Sequence, residues 1–312
     1  MTTDYSTPAG DSQHTASRTP LADLALLLVT LIWGSTFVMV KDAVASYPVF
    51  AFLALRFSFA ALALLPLALI RRKSVAPLRG VGRAAILRGA VAPLLIGVAL
   101  FAGYGFQTVG LQQTTPAKAG FITGLAVVMV PLASAFFLHQ APGRNAWIGV
   151  CLALAGLALL TLQANLRPSA GDLLVLACAV AFAAHILLTG RFAPRHDPLL
   201  LTLGQIVVVI ILSGIAVARV QAPPLTRQVV LAAAFTGVLA TSAAFGIQTL
   251  AQRFTTPTHT ALIFAAEPVF AALFSFLLIG EALGTRQLAG CGLILAGMIV
   301  AEVKFGSERP HA

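Results

Sequence analysis

The chain has 312 residues, 59% of them hydrophobic and only 10% charged, with a mean hydropathy of +0.94. A soluble domain carries about a quarter charged residues, so a water-soluble globular fold is excluded. The net charge of +10 sits in short links between apolar runs, with no basic face to serve a nucleic-acid partner.

Residues 1–20 are polar and read as a disordered cytoplasmic tail, and 305–312 as a second one. Ten apolar stretches lie between them, near 21–40, 49–70, 86–107, 115–138, 146–163, 171–190, 198–219, 228–249, 258–279 and 286–303. Each is long enough, at about twenty residues, to cross a hydrocarbon core of about 30 Å. The first is too long for the apolar segment of a signal peptide, so no cleavage is expected. Basic, Pro or Gly punctuation separates them, as at Arg71-Arg72-Lys73, Pro142-Gly143 and Pro223-Pro224. No alternating barrel pattern is present, which predicts an all-α integral membrane protein of ten transmembrane helices.

The chain contains itself twice. Gly105-Phe106-Gln107-Thr108 aligns with Gly246-Ile247-Gln248-Thr249 and Thr114-Thr115-Pro116 with Thr255-Thr256-Pro257. At the same offset Gly149 meets Gly290 and Leu154-Ala155-Gly156 meets Leu295-Ala296-Gly297. A constant offset through polar residues and glycines predicts a duplicated half, as repeats 21–165 and 170–304. Upstream, Asp23-Leu24 lies over Asp172-Leu173, which sets Trp33 opposite Phe182 and Arg56 opposite Gln205. Five spans per half is an odd number, so the second half enters the membrane from the opposite side, an inverted repeat. With a cytoplasmic N-terminus, inside segments such as Arg71, Arg72, Lys73, Arg144, Arg191 and Arg195 outnumber outside ones by two to one in Lys and Arg. That places both termini in the cytoplasm.

No Walker loop, His-Glu-x-x-His, Gly-x-Ser-x-Gly or Asp-rich pair is present, so no catalytic residue, cofactor or metal ligand is expected. Cys151, Cys178 and Cys291 all fall in apolar runs and read as small packing residues. Two charges lie deep in spans, Arg56 and Glu267. At about 1.5 Å rise per residue both come close to the midplane, where a charge needs a reason. Either they line a polar cavity, or Arg56 caps carbonyls or pairs with Glu267 to lock the halves together. Pro268 is expected to kink the ninth helix beside Glu267. Substrate contact is assigned to Trp33, Arg56, Tyr104, Gln205 and Glu267. Glu267 and His185 are candidate proton sites, although His185 could instead reach the cytoplasmic interface near Arg191. Gln107-Thr108 and Gln248-Thr249 are expected as gates at the turns into helices 4 and 9. The glycines at 149–156 and 290–297 suit tight helix packing, or the seam of a homodimer.

Several motifs together resemble one family. Leu31-Ile32-Trp33-Gly34-Ser35-Thr36-Phe37, Leu55-Arg56-Phe57, and Gly110 to Thr115 with Ala119 to Leu125 are similar to its first half. Glu267-Pro268-Val269-Phe270, Gly280-Glu281 and Gly290 to Gly297 are similar to its second. The family is the EamA-type, ten-helix branch of the drug/metabolite transporter superfamily. The resemblance implies a secondary carrier of the inner membrane, often an exporter of amino acids, related metabolites or drugs. Gln140 stands where the other half has Glu281, a departure from the family's habit. Partners expected are a small-molecule substrate and the lipid bilayer. The alternative is a membrane receptor or scaffold that binds a small molecule without moving it.

Overall fold

A computed structural model describes residues 20–74, 83–114, 116–161, 169–218, 220–221, 223–280 and 283–302. The tail expectations for 1–19 and 305–312, the centre of the basic loop, Thr115 and Glu281 lie outside the described residues. Among those described there is no strand.

The helices are α1 (Pro20–Ser46), α2 (Val49–Ser74), α3 (Arg83–Leu111), α4 (Pro116–Gly124), α5 (Ala126–Phe137), α6 (Arg144–Thr161) and α7 (Ala170–Phe192). They continue with α8 (Pro198–Val217), α9 (Arg227–Phe235), a π-helical segment Thr236–Ala243, α10 (Ala244–Ala251), α11 (Pro257–Phe264), α12 (Glu267–Ile279) and α13 (Thr285–Glu302). Among the described residues eight stretches are long and apolar enough to cross a membrane, and Pro20–Thr36 and Thr285–Ala301 are shorter apolar helices. Together they account for the ten predicted spans. Leu62, Phe136, Phe137, Leu173, Ile215, Leu277 and Ile299 are each more than half exposed on the outer faces. Water would not tolerate such a continuous apolar surface, whereas lipid requires it.

Spans four and nine are broken, not kinked. Leu125 separates α4 from α5, and Ala265-Ala266 separates α11 from α12. The two breaks fall at equivalent places in the repeat. Pro268 therefore does not kink a continuous helix as predicted. It lies in the first turn of α12, where a missing N–H costs nothing. His139 (φ 53°) and Gly280 (φ 71°) echo the repeat again, ending α5 and α12 in the left-handed region.

Contacts between the halves come in reciprocal pairs. A Cβ on Gly149 would stand 2.5 Å from Gly297 O, and one on Gly156 would stand 2.5 Å from Gly290 O. Exchanging the halves turns the first contact into the second, the mark of a pseudo-twofold relation. These glycine faces close α6 on α13 within one chain, so they are not available as the dimer seam considered above. Cys178 is buried as expected, but Cys151 is exposed on an outer face and fills no core space.

Polar contacts tie each end together. At one end Arg71 Nε lies 2.8 Å from Asp197 Oδ2 and His259 Nε2 lies 3.0 Å from Asp23 Oδ1. At the other, the Thr114 hydroxyl donates to Asp172, and Arg286 Nη2 donates to Ala158 O at 3.5 Å. Each pair joins span ends that the ten-crossing count puts on the same side.

Candidate substrate site

Arg56 lies two turns into α2 and is 3% exposed. Its Nε donates to Thr241 Oγ1 at 2.8 Å, and its Nη2 donates to the Tyr104 hydroxyl at 3.2 Å and to Ala240 O at 3.5 Å. The guanidinium carbon stands 4.9 Å from the centre of the Tyr104 ring. Tyr104 comes from α3, whereas Thr241 and Ala240 come from the π-helical segment, whose wider turn brings the Thr241 hydroxyl back onto Thr236 O at 3.1 Å. Ala240 O also accepts from Trp33 Nε1 at 2.8 Å. Gly237 allows this close approach, because a Cβ there would lie 2.4 Å from Arg56 O. Among the described residues no carboxylate lies within 4.0 Å of Arg56. The predicted lock between Arg56 and Glu267 is therefore not formed.

An aromatic cluster adjoins this cation through Tyr104. Trp33 packs on Phe245 with ring centres 5.5 Å apart, and Tyr104 packs on Phe182 at the same 5.5 Å. Phe182 is the repeat equivalent of Trp33, and Phe245 that of Tyr104, so the two pairs are images of each other. Tyr104 and Phe245 meet at 6.3 Å near the junction of the halves. Phe264 closes on Trp33 at 5.0 Å.

At Arg56's place in the second half, Gln205 is fully buried. Its Oε1 lies 2.8 Å from His185 Nε2, and its Nε2 donates to Thr249 Oγ1 at 3.5 Å. His185 is thus a core residue, 3% exposed, and does not reach the cytoplasmic interface as one reading allowed. Gln248 donates to Gln252 at 3.0 Å, and Gln252 donates to Ile186 O at 3.0 Å. The Gln248-Thr249 pair belongs to α10 and this buried network, not to the turn that precedes α11. Gln107 and Thr108 likewise sit inside α3, where the Thr108 hydroxyl donates to Tyr104 O at 2.7 Å.

Glu267 is half-buried and opens α12, at the positive end of that half-helix. Among the described residues its carboxylate has no hydrogen-bond or ion-pair partner. It stands within electrostatic reach of Tyr104 and Cys178. Gly34 brings α12 against α1, since a Cβ there would be 2.8 Å from Ala271 N. No cluster of His, Cys, Asp or Glu suited to a metal occurs among the described residues. Sequence reasoning missed Thr241, the Ala240 carbonyl and Gly237. Their signal is the run Thr236-Gly237 to Thr241-Ser242, polar and small residues inside an otherwise apolar span.

Two homologous halves with broken spans and a polar, aromatic core at their junction define a two-repeat helical membrane fold. The EamA-like transporter family matches the chain twice, over residues 20–162 and 169–302. An uncharacterized transporter of Archaeoglobus fulgidus is 35% identical over 286 residues, covering 91% of this chain and 86% of its own. The uncharacterized inner membrane transporter YedA of Escherichia coli is 32% identical over 164 residues, 51% of this chain and 50% of its own. A crystal structure at 23% identity superposes with a TM-score of 0.76, covering 93% of this chain and 99% of its own, and so shares the fold. The chain belongs to the EamA-like transporter family and is a multi-pass membrane transporter.

Proposed function

We propose that the protein is a secondary carrier that exports small zwitterionic or anionic metabolites, such as amino acids or related compounds, across the inner membrane by alternating access. The observation that carries this reading is the buried Arg56 with no carboxylate beside it among the described residues. A desolvated guanidinium without a counter-charge is costly, and a substrate carboxylate held bidentately is its natural complement. Glu267, also without a partner among the described residues, offers the opposite charge for an ammonium group or a proton. Trp33, Tyr104, Phe182 and Phe245 supply an apolar wall for the rest of a small organic molecule.

Ten crossings with an odd number per half support the inverted arrangement and two alternating mouths. The Lys and Arg distribution supports a cytoplasmic location for the end that contains Arg71, Asp197, Asp23 and His259.

The test is flux of radiolabelled amino acids and related carboxylates in proteoliposomes, which also separates a carrier from a receptor that only binds. Arg56→Gln copies the residue that the second half holds at Gln205, so insertion should persist. Transport should fall by roughly thirtyfold or more, as expected when one partner of a buried charge contact is lost. Thermal stability should be unchanged or higher, because a buried charge disappears. Unaltered kinetics in the folded variant would leave Arg56 a structural residue.

A further inference from the structure

A groove of about 470 Å³ runs between α5 and α7, away from the aromatic core, lined by Met129, Ala133, Val180, Ala184 and Leu187 among others. Every lining side chain is apolar except Arg191, which sits at one end. We propose that this groove holds one acyl chain of an anionic phospholipid, with the lipid phosphate on Arg191.

Three observations carry this. The first is length. From Val180 to Arg191 the helix rises about 16 Å at 1.5 Å per residue, about half of a 30 Å hydrocarbon core and so one leaflet. The groove therefore matches a single chain lying along the bilayer normal, with Arg191, in the last turn of α7, at headgroup depth.

The second is charge. Arg191 is exposed and has no carboxylate within 4.0 Å among the described residues. A guanidinium at the mouth of a hydrocarbon slot selects an anionic head, whereas a soluble zwitterion would find no second polar group along the walls.

The third is asymmetry between the repeats. The equivalent place in the other half joins α12 to α1, and there Gly34 lies directly against Phe270 and Ala271. The equivalent residue in the groove half is Ala183, whose methyl group lines the groove at the position where Gly34 has no room for one. Asp42, not a basic residue, occupies the sequence position equivalent to Arg191. The scaffold thus does not impose the groove. One half has acquired both the space and the cation.

The experiment uses the full-length protein in phosphatidylcholine vesicles doped with phosphatidylglycerol or phosphatidylcholine bearing a photoactivatable acyl chain. Adducts are mapped by mass spectrometry. Labelling within 129–138 and 180–188 should favour phosphatidylglycerol about fivefold, the worth of one arginine at an anionic membrane surface. Arg191→Gln should abolish that preference while leaving the protein monodisperse, since the side chain is exposed. Ala133→Trp, which fills the groove, should remove the adducts for both lipids. If that variant misfolds, the Arg191→Gln comparison still decides. Excess glycerol phosphate should not compete. Competition by it, equal labelling by the two lipids, adducts spread evenly around the helices, or a preference that survives Arg191→Gln would each overturn the proposal.

Discussion

Arg56 and Glu267 both stand within electrostatic reach of Tyr104, yet they form no ion pair with each other. For Glu267 the expected role is to bind and release a proton as its surroundings change during the cycle, since a ligand moves a conformational equilibrium only through differential affinity. Glu267→Gln in proteoliposomes should lose uptake driven by an imposed pH gradient and retain counterflow exchange. Loss of both would make the carboxylate a substrate contact instead, and loss of neither would remove it from the mechanism. At the molecule's end, Asp197 has a different task. Burial pushes its carboxyl up, but the backbone N–H of Leu200, Arg71 and the N–H of Leu199 together hold it below the usual carboxylate range. A group with a depressed folded pKa adds stability above its unfolded pKa of about 3.9, and that stability is lost as pH falls through the folded value. Arg71 is 60% exposed, so the ion pair itself contributes at most about 1 kcal/mol. Asp197→Ala should cost about 1 kcal/mol more through the lost cap on Leu199 and Leu200. Asp197→Asn should keep that cap and flatten the loss of stability in acid, both read by thermal unfolding in detergent.

Between elements, the glycines sort into those that touch backbone and those that face open space. Gly149 and Gly156 let α6 reach α13 so closely that a methyl group would strike a carbonyl oxygen. Without a hydrophobic drive between helices in lipid, this close packing is the main source of their association. Gly149→Ala should therefore destabilise the protein by about 1–3 kcal/mol through overpacking. Gly246, its neighbours more than 4 Å from a built Cβ, should accept Ala with a gain of up to about 1 kcal/mol from helix propensity. Equal effects of the two substitutions on unfolding would show that α6 and α13 pack less tightly than described. The breaks at Leu125 and Ala265-Ala266 do the opposite work. They give up continuity inside spans four and nine and leave half-helix ends there, one of which carries Glu267.

Across the whole molecule, the reciprocal contacts of Gly149 with Gly297 and of Gly156 with Gly290, and of Trp33 with Phe245 and Phe182 with Tyr104, describe one pseudo-twofold arrangement. In the inverted arrangement proposed above, an odd number of crossings per half would lay this axis in the membrane plane and let each half serve the opposite face. The proposed orientation, with both termini in the cytoplasm, rests on the Lys and Arg distribution. A reporter active only outside the cytoplasm should be silent when fused after Arg72 and active when fused near Arg167. The reverse pattern would exchange the two mouths and place Arg191 in the outer leaflet.

Hydropathy, the repeat offset and the place of Arg56 and Glu267 inside apolar spans were all legible in the residues, because each depends only on composition and position along the chain. Residue content alone sets the all-α class, the ten spans and the presence of two charges that lipid would not tolerate without purpose. It did not determine which side chains meet. Thr241 reaches Arg56 across 185 residues, and His185 turns inward to Gln205 instead of outward to the interface. Such pairings depend on the rotation of each helix about its axis. These spans are apolar on every side and carry no stripe that fixes that rotation. Close glycine contacts, a π-helical turn and two symmetric breaks set it instead, and those exist only once the halves are packed together.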